Sequence, residues 1–494
     1  MSAPGSDRIR SSVKVTLVAT ILSGLVQAAT MVVLARLLEP QDYGFFVVCL
    51  SINALSVAFF MSVIERAMVI EGDGVSLAGR SLPLVLGLIG VGAVALAICA
   101  AIHHITGWAI DVRILAIILV AQSLSAVATI PRAAMRRQLR FGRVVGGEVA
   151  GQLLGNLLTA AFLASRGYGA FALVAGFSVG LLVSTLWVLL GSTAGLRGFG
   201  VAGVGPLVRT AGGVAKPASV EALNGQISPL VVSSVLGVVS LGLFNRIYTI
   251  VTLPVQLMIS SLNRVLISAL VTVSGDLERR QRGANLMLRM AAALITPITF
   301  GVAGSGHNFV VTVLGPRWTE AAPIVPLLAL AVWGNMVGAL LGQLAESVRR
   351  FNDKTRVQAI ATILLVVALL AGSPWGMTGV ATGVMIAGLG LAGLYVRLTA
   401  DILETPARTI LGWFVPGWIA GIAAASAALA VGWLMSGSSP PLVLAAQVAA
   451  CGVATGLSYI LLDRALIREI SHTLMPQPID RLVTRLLRIR APAG

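Results

Sequence analysis

The residues of this sequence best able to do chemistry are charged side chains embedded in long apolar runs. Lys216 lies about nine residues, ~13 Å, into the run 207–236. Pro217 beside it frees backbone groups nearby. Glu221 follows on the same run and offers the structural alternative, an ion pair with Lys216. Arg246 and Arg264 are eighteen residues apart. Five helical turns separate them, so a helix puts both on one face ~27 Å apart. Pro254 between them should kink that helix and blur the register. Arg36 stands near the end of the first run. Cations in these places suit an anion such as a diphosphate or an acidic sugar, which a guanidinium takes in bidentate fashion. For the arginines the competing reading is snorkelling at the membrane interface.

Other polar patterns point to structure. Glu148, Gln152 and Asn156 follow an i, i+4, i+8 stripe, and Asn335, Gln343 and Glu346 mark another. Such stripes more often join helices than line cavities. Glu65 and Arg66 read as interfacial residues. Arg132, Arg136, Arg137, Arg140 and Arg143 read as a lipid-surface anchor, with a minority role in drawing in an anionic head group. Cys49, Cys99 and Cys451 fall in or near apolar runs without CxxC spacing, so neither a disulfide framework nor a metal site is expected. The histidines, His103, His104, His307 and His472, show no zinc spacing. No phosphate-cradling glycine loop or hydrolase nucleophile motif is present, so no cofactor is expected.

The elements that must position these residues follow from hydropathy. Hydrophobic residues make up 57% of the 494 and charged residues 11%. Runs of roughly 20 apolar residues match the ~30 Å hydrocarbon layer, and in lipid such runs are helices. The chain reads as an all-α polytopic membrane protein with about 14 spans, at approximately 13–35, 44–70, 81–102, 113–131, 144–164, 168–190, 207–236, 241–270, 286–306, 321–345, 356–372, 377–399, 411–434 and 441–463. With the N-terminus cytoplasmic, 28 of the 35 Lys and Arg fall on the inner side. Five, Arg36, Arg113, Arg166, Arg246 and Arg317, fall on the outer side, and Lys216 and Arg264 lie within spans. That is the asymmetry of the positive-inside rule. It places both termini in the cytoplasm of a cell whose inner membrane holds the chain. The +16 net charge then reflects anionic inner-leaflet lipids, which are expected partners, and nucleic acid is not. Ile479, Leu482, Val483, Leu486 and Leu487 oppose Arg481, Arg485 and Arg488 on a helix expected to lie on the inner surface. The first span is too long for a signal-peptide core and is expected to be retained.

A weak repeat organises the spans. Ala35-Arg36-Leu37-Leu38 and Tyr43-Gly44-Phe45-Phe46 are echoed 198 residues later by Ser233-Ser234-Val235-Leu236 and Leu241-Gly242-Leu243-Phe244. Leu139-Arg140-Phe141 is echoed 210 residues later by Arg349-Arg350-Phe351. Both echoes pair spans 1–6 with spans 7–12. The expected organisation is therefore a six-helix lobe at 1–190, a cytoplasmic linker at 191–206, a second parallel lobe at 207–400, two additional helices at 401–463 and a basic amphipathic tail at 464–494. Transporters often place the substrate path between such halves.

From the seventh span the chain has Leu236-Gly237, Leu241-Gly242, Asn245-Arg246-Ile247-Tyr248, Leu253-Pro254, Asn263-Arg264-Val265-Leu266 and Gly315-Pro316-Arg317-Trp318. With Leu37-Leu38-Glu39-Pro40-Gln41-Asp42-Tyr43-Gly44 near the start, it resembles the Wzx-type polysaccharide exporters. These are flippases of the multidrug/oligosaccharidyl-lipid/polysaccharide exporter superfamily, and the similarity is closest to the branch serving exopolysaccharides such as colanic acid. The resemblance implies an inner-membrane transporter, not an enzyme, that turns over undecaprenyl-diphosphate-linked oligosaccharide repeats. It leaves room for a polysaccharide polymerase and export machinery as further partners. Many relatives carry an Asp and a basic residue before the Leu-Gly pair, where this chain has Ser228 and Ser234, so no role is carried over there. Lys216, Arg246, Arg264, Arg36 and Glu221 remain the candidate substrate-binding residues. A cation-coupled multidrug exporter is the alternative within transport, and such proteins usually have twelve spans and an acidic site. A membrane polymerase or ligase would need larger outer loops than the longest here, about 306–320, and a scaffold would not need charges within spans.

The charge asymmetry makes a topology prediction. Reporter fusions at Gly494 should report cytoplasm and at Ser305 the outer side; an outer-side signal at Gly494 would remove the fourteen-span reading.

Overall fold

The computed structural model describes residues 6–70, 81–106, 111–129, 131–132, 135, 140–191, 205–271 and 277–462; for 6–21, 58–70, 81–85, 102–103, 105–106, 141, 205–222, 257 and 259–271 it describes the backbone alone. Every regular element among the described residues is helical. In order these are α1 (Ser6–Leu37), α2 (Pro40–Ile70), α3 (Ser81–Thr106), α4 (Val112–Ala126), α5 (residues 141–165), α6 (Ala170–Gly191), α7 (Gly205–Val271), α8 (Leu277–Val313), α9 (Val325–Ser347), α10 (Phe351–Gly372), α11 (Gly376–Leu403), α12 (Ala407–Gly412), α13 (Val415–Leu434) and α14 (Pro440–Leu462). Seven described stretches are long and apolar enough to cross a membrane: Ala170–Gly191, Leu223–Gln256, Leu277–Val313, Pro316–Ser347, Phe351–Leu403, Ala407–Leu434 and Pro440–Leu462. Phe351–Leu403 holds both α10 and α11, and Leu22–Leu37, Leu86–Ala101 and Val112–Ala126 are shorter apolar helices.

Local chemistry sets the breaks. Gly237 is the non-helical residue inside α7, at φ 82° and ψ 171°, a conformation open to glycine and closed to residues with a Cβ. Sequence hydropathy reads two spans there with a short turn; the backbone needs one residue to change direction. Gly315, at φ 100°, opens a 3₁₀ segment, Pro316–Ile324. Pro316 fits the first position of that segment because its missing N–H has no helical partner there, and Trp318 anchors the turn with no solvent exposure. The expected outer loop at 306–320 is thus mostly helical, since α8 continues to Val313.

The chain divides into two compact units, Met1–Arg246 and Ile247–Gly494. In the first, α6 packs on α2, α4 and α5, and α5 also packs on α1. Gly151 and Gly155 of α5 meet Gly176 and Gly180 of α6 with backbone against backbone, the close approach that small residues at four-residue spacing permit in membranes. The middle of α5 is a π-helix, Gln152–Thr159. Its wider turn carries Gln152 and Asn156 off the α-helical stripe expected for them.

In the second unit α8 packs on α9, α13 and α14, and α11 on α9 and α10. Trp333 Nε1 donates to Thr296 Oγ1 at 2.9 Å inside a cluster with Phe414 and Trp418. Buried Gln447 of α14 donates to the Ala428 carbonyl at 2.8 Å and accepts from Asn308 Nδ2 of α8 at 3.4 Å. Its polar groups are therefore met inside the unit, as burial requires. Exposed Trp375 and Trp433 lie at helix ends expected on the outer side, where amphipathic rings favour the head-group level.

Among the described glycines of the first unit, those with the least room for a Cβ are Gly44 of α2 and Gly242 of α7. A methyl on Gly44 would overlap the Val238 carbonyl oxygen, and one on Gly242 would overlap the Pro40 carbonyl oxygen. Backbone cannot yield as a flexible side chain can, so Gly44→Ala should cost about 1–3 kcal/mol or more. Gly452→Ala, where a methyl meets open space, is the control. Melting of the purified proteins in detergent should separate the two, and equal stability would show that the α2–α7 contact is not tight.

Candidate functional site

The motif at 37–44 folds into a turn in which nearly every residue has a structural task. Pro40 opens α2, and the Glu39 backbone N–H donates to Asp42 Oδ2 at 3.1 Å. An acid three positions into a helix that reaches back to the N-cap amide is one arm of a capping box. A Cβ on Gly169 would lie 2.7 Å from Asp42 Oδ1, so the same carboxylate rests on the turn that leads into α6. Tyr43 is 3% exposed, and the Arg246 guanidinium sits over its ring, 3.6 Å from the centroid. Gly44 then meets Val238.

This arrangement is reciprocal. Pro40 and Val238 are 198 residues apart, as are Gly44 and Gly242. Gly44 touches Val238 and Gly242 touches Pro40, which is the pattern of a two-fold contact, where i meets j and j meets i. The second echo is matched as well. Arg140 (φ −85°, ψ 45°) caps α5 and Arg350 (φ −83°, ψ 53°) caps α10. The Arg140 N–H donates to the Met135 carbonyl and the Arg350 N–H to the Ala345 carbonyl, each at 2.9 Å. Two short sequence echoes therefore correspond to two repeated backbone geometries.

Of the sequence-derived site residues, Arg246 is brought into a built environment. It is half-buried, and its buried Nε has no hydrogen-bond partner. Among the described residues it has no carboxylate partner. A cation–π contact partly offsets its desolvation without cancelling its charge. Arg36 is exposed in the last turn of α1, and its echo Ser234 is exposed too, donating to the Val231 carbonyl at 2.9 Å. Lys216, Glu221 and Arg264 lie on α7 outside the described side chains, as do Glu65 and Arg66 on α2; the tail at 464–494 also lies outside the described residues.

The arginines expected to anchor at the lipid surface are partly used inside the bundle. Arg132 Nη2 donates to Ser184 Oγ at 3.3 Å and Thr185 Oγ1 at 3.4 Å. Arg143 Nη1 donates to the Gly191 carbonyl at 3.2 Å, at the end of α6, where a cation complements the helix dipole. Gln152 accepts from Ser23 Oγ at 2.7 Å, and Asn335 Nδ2 donates to the Tyr248 hydroxyl at 3.3 Å. Both polar stripes thus supply inter-helix bonds.

Sequence reasoning missed two residues. Tyr43 was read as part of a motif and not as a partner of Arg246. Lys354 falls in the sequence between the expected spans 321–345 and 356–372, yet it is 6% exposed and bonds Glu346 at 2.8 Å. Its signal was periodicity: Lys354, Gln358, Ala361, Leu365 and Leu369 form one buried face of α10. The echo of Lys354 is Val144, buried in a cluster with Ala128, Met135 and Val188.

A family profile described as polysaccharide biosynthesis protein matches residues 33–323, more than half of the chain and all of the α2–α7 contact. The chain belongs to this polysaccharide biosynthesis protein family. Its seven described apolar stretches make it a multi-pass membrane protein of that family. It is 25% identical over 402 residues to the lipopolysaccharide biosynthesis protein WzxC of Escherichia coli, covering 77% of this chain and 78% of WzxC. Its fold is similar to that of the lipid II flippase MurJ in an inward closed conformation, with a TM-score of 0.75 at 13% identity over 91% of this chain and 99% of MurJ. An inward-facing multidrug resistance MATE transporter of the MOP superfamily gives a TM-score of 0.58 at 14% identity over 77% and 94%. The larger overlap with the MurJ fold means that less of this exporter lies outside the shared architecture.

The echoed Val144 and Lys354 make a forecast for this family member. Lys354→Ala leaves the partly exposed Glu346 carboxylate without its partner, at a cost of about 1 kcal/mol or more, and should lower membrane abundance several-fold. Lys354→Val together with Glu346→Leu should recover it, because the echoed position is satisfied by valine. Immunoblots of membrane fractions measure both; a double variant no better than the single would show that the charge pair is needed for folding.

Proposed function

We propose that this exporter carries undecaprenyl-diphosphate-linked oligosaccharide repeats across the bacterial inner membrane for surface or exopolysaccharide synthesis. The observation that carries the reading is Arg246, a half-buried cation that an aromatic ring holds and no described carboxylate neutralises, within a chain of the polysaccharide biosynthesis family. A diphosphate-sugar head cannot cross hydrocarbon unaided, while a polyprenyl tail can stay in it. A basic path with lateral access shields the head and leaves the tail in lipid.

In this proposal fourteen helices form two parallel halves, 1–190 and 207–400, joined by a linker at 191–206. The helices of 401–463 follow, and the basic tail lies on the cytoplasmic surface with both termini inside. The reciprocal contact at Gly44 and Gly242 supports that relation, because two halves about an axis along the membrane normal would meet in this way. Alternating access then moves a diphosphate past Lys216 and Arg264, towards the inner side, and Arg246 and Arg36, towards the outer. Glu221 sets the charge next to Lys216.

Deleting the gene should abolish one surface polysaccharide while its lipid-linked repeat accumulates on the cytoplasmic side. Intact polymer with altered drug sensitivity would favour a cation-coupled multidrug exporter instead. In the intact gene, Lys216→Ala should stop export with protein still in the membrane, and Lys216→Arg should keep part of it, since a point charge tolerates some change of shape. Full export by Lys216→Ala would remove that residue from the path.

A further inference from the structure

The 198-residue echo provides an internal comparison for the Tyr43–Arg246 contact. Tyr43 maps onto Leu241 and Arg246 onto Val48; Leu241 and Val48 each have 0% exposure. The positions that echo the ring and the cation beside the approach of Pro40 and Gly44 to Val238 and Gly242 are therefore held by two fully buried aliphatic residues. Leucine and valine satisfy the packing with no polar group to desolvate. A guanidinium in the same role carries a desolvation cost that packing does not return. Shape alone does not account for Arg246.

The way it is held indicates its task. The guanidinium is planar, and a ring 3.6 Å away occupies one face and leaves the edge N–H groups in place. A carboxylate partner would use those N–H groups and cancel the charge; a ring does neither. Arg246 Nε is buried without a hydrogen-bond partner, and no described carboxylate pairs with the residue. The edge has capacity for an anion of bidentate geometry.

We propose that Tyr43 is a positioning residue for a diphosphate: its ring shelves the Arg246 guanidinium so that the edge takes phosphate oxygens of the lipid-linked substrate. This rests on the flippase reading above. In the proposed topology Tyr43 and Arg246 both lie towards the outer ends of their helices, so the shelf is the contact nearest release. One guanidinium on a neutral ring binds a diphosphate without trapping it.

The test uses the full-length protein in nanodiscs, with geranylgeranyl diphosphate as probe, geranylgeraniol and glucuronate as controls, and polymer export in cells as the second readout. The wild type should bind the diphosphate and neither control. Tyr43→Phe keeps the ring and should stay within about twofold, whereas Tyr43→Leu should weaken binding about tenfold, the order expected of a desolvated cation–π contact. Tyr43→Leu with Arg246→Val copies the aliphatic arrangement of Leu241 and Val48. It should keep wild-type abundance and melting temperature while losing at least tenfold in binding and most of the export. Wild-type binding by that double variant, or by Tyr43→Leu, would overturn the proposal. Tyr43→Phe as weak as Tyr43→Leu would assign the effect to the hydroxyl and overturn the shelf. Binding of glucuronate in place of the diphosphate would reassign the anion to an acidic sugar. The flippase reading fails separately, if gene deletion leaves polymer export intact.

Discussion

Inside hydrocarbon a helix gains little by hiding apolar side chains, because the lipid around it is as apolar as a neighbouring helix. Close approach and the few polar bonds it allows must hold the bundle together. That constraint accounts for where the glycines of this chain are tight. Gly155 lies against Gly180, Gly334 against Gly388, and Gly44 and Gly242 against opposing carbonyls. At each place the absence of a side chain lets two backbones meet, and dispersion over many atom pairs does the holding. The polar bonds supplement it: Gln447 joins α14 to α13 and α8, and Gln152 joins α5 to α1.

The cations are settled by different chemistries, and the differences separate structure from function. Arg143 is spent on a helix-end carbonyl, Arg132 on two hydroxyls of α6 and Lys354 on a carboxylate. Each of these consumes donor N–H groups. Arg246 is held through its face, which keeps the charge and part of the donor edge in reserve.

Much of the fold was legible in the sequence, because length and hydropathy set where helices can lie. What sequence could not supply was register. The two spans expected at 207–236 and 241–270 are two helices that meet at a kink at Gly237, so the break is a single non-helical residue and not a four-residue turn. A stripe laid out at α-helical spacing from Glu148 is wound differently where α5 becomes a π-helix. Lys354 stood between expected spans, and its partner, Glu346, reaches it only after the chain turns back at Arg349 and Arg350. Arg246 was legible as a candidate from its charge within an apolar run. Tyr43 was not, since nothing in a one-dimensional pattern brings residues 43 and 246 together. The two echoes were legible as short likenesses, and their meaning appears in the backbone: matched cap angles at Arg140 and Arg350, and glycines that exchange partners.

The exchange of partners at Gly44 and Gly242 bears on what a fused chain can do that a pair of identical chains cannot. In a closed homodimer every residue at such a junction occurs twice, so an arginine at the position of Arg246 would bring a second, and two like charges would face each other across the axis. Two echoed stretches within one polypeptide are free to diverge. Here one position keeps valine and its counterpart carries arginine. An odd number of charges on a pseudo-symmetric seam is closed to two identical copies and open to a chain whose echoed stretches have diverged.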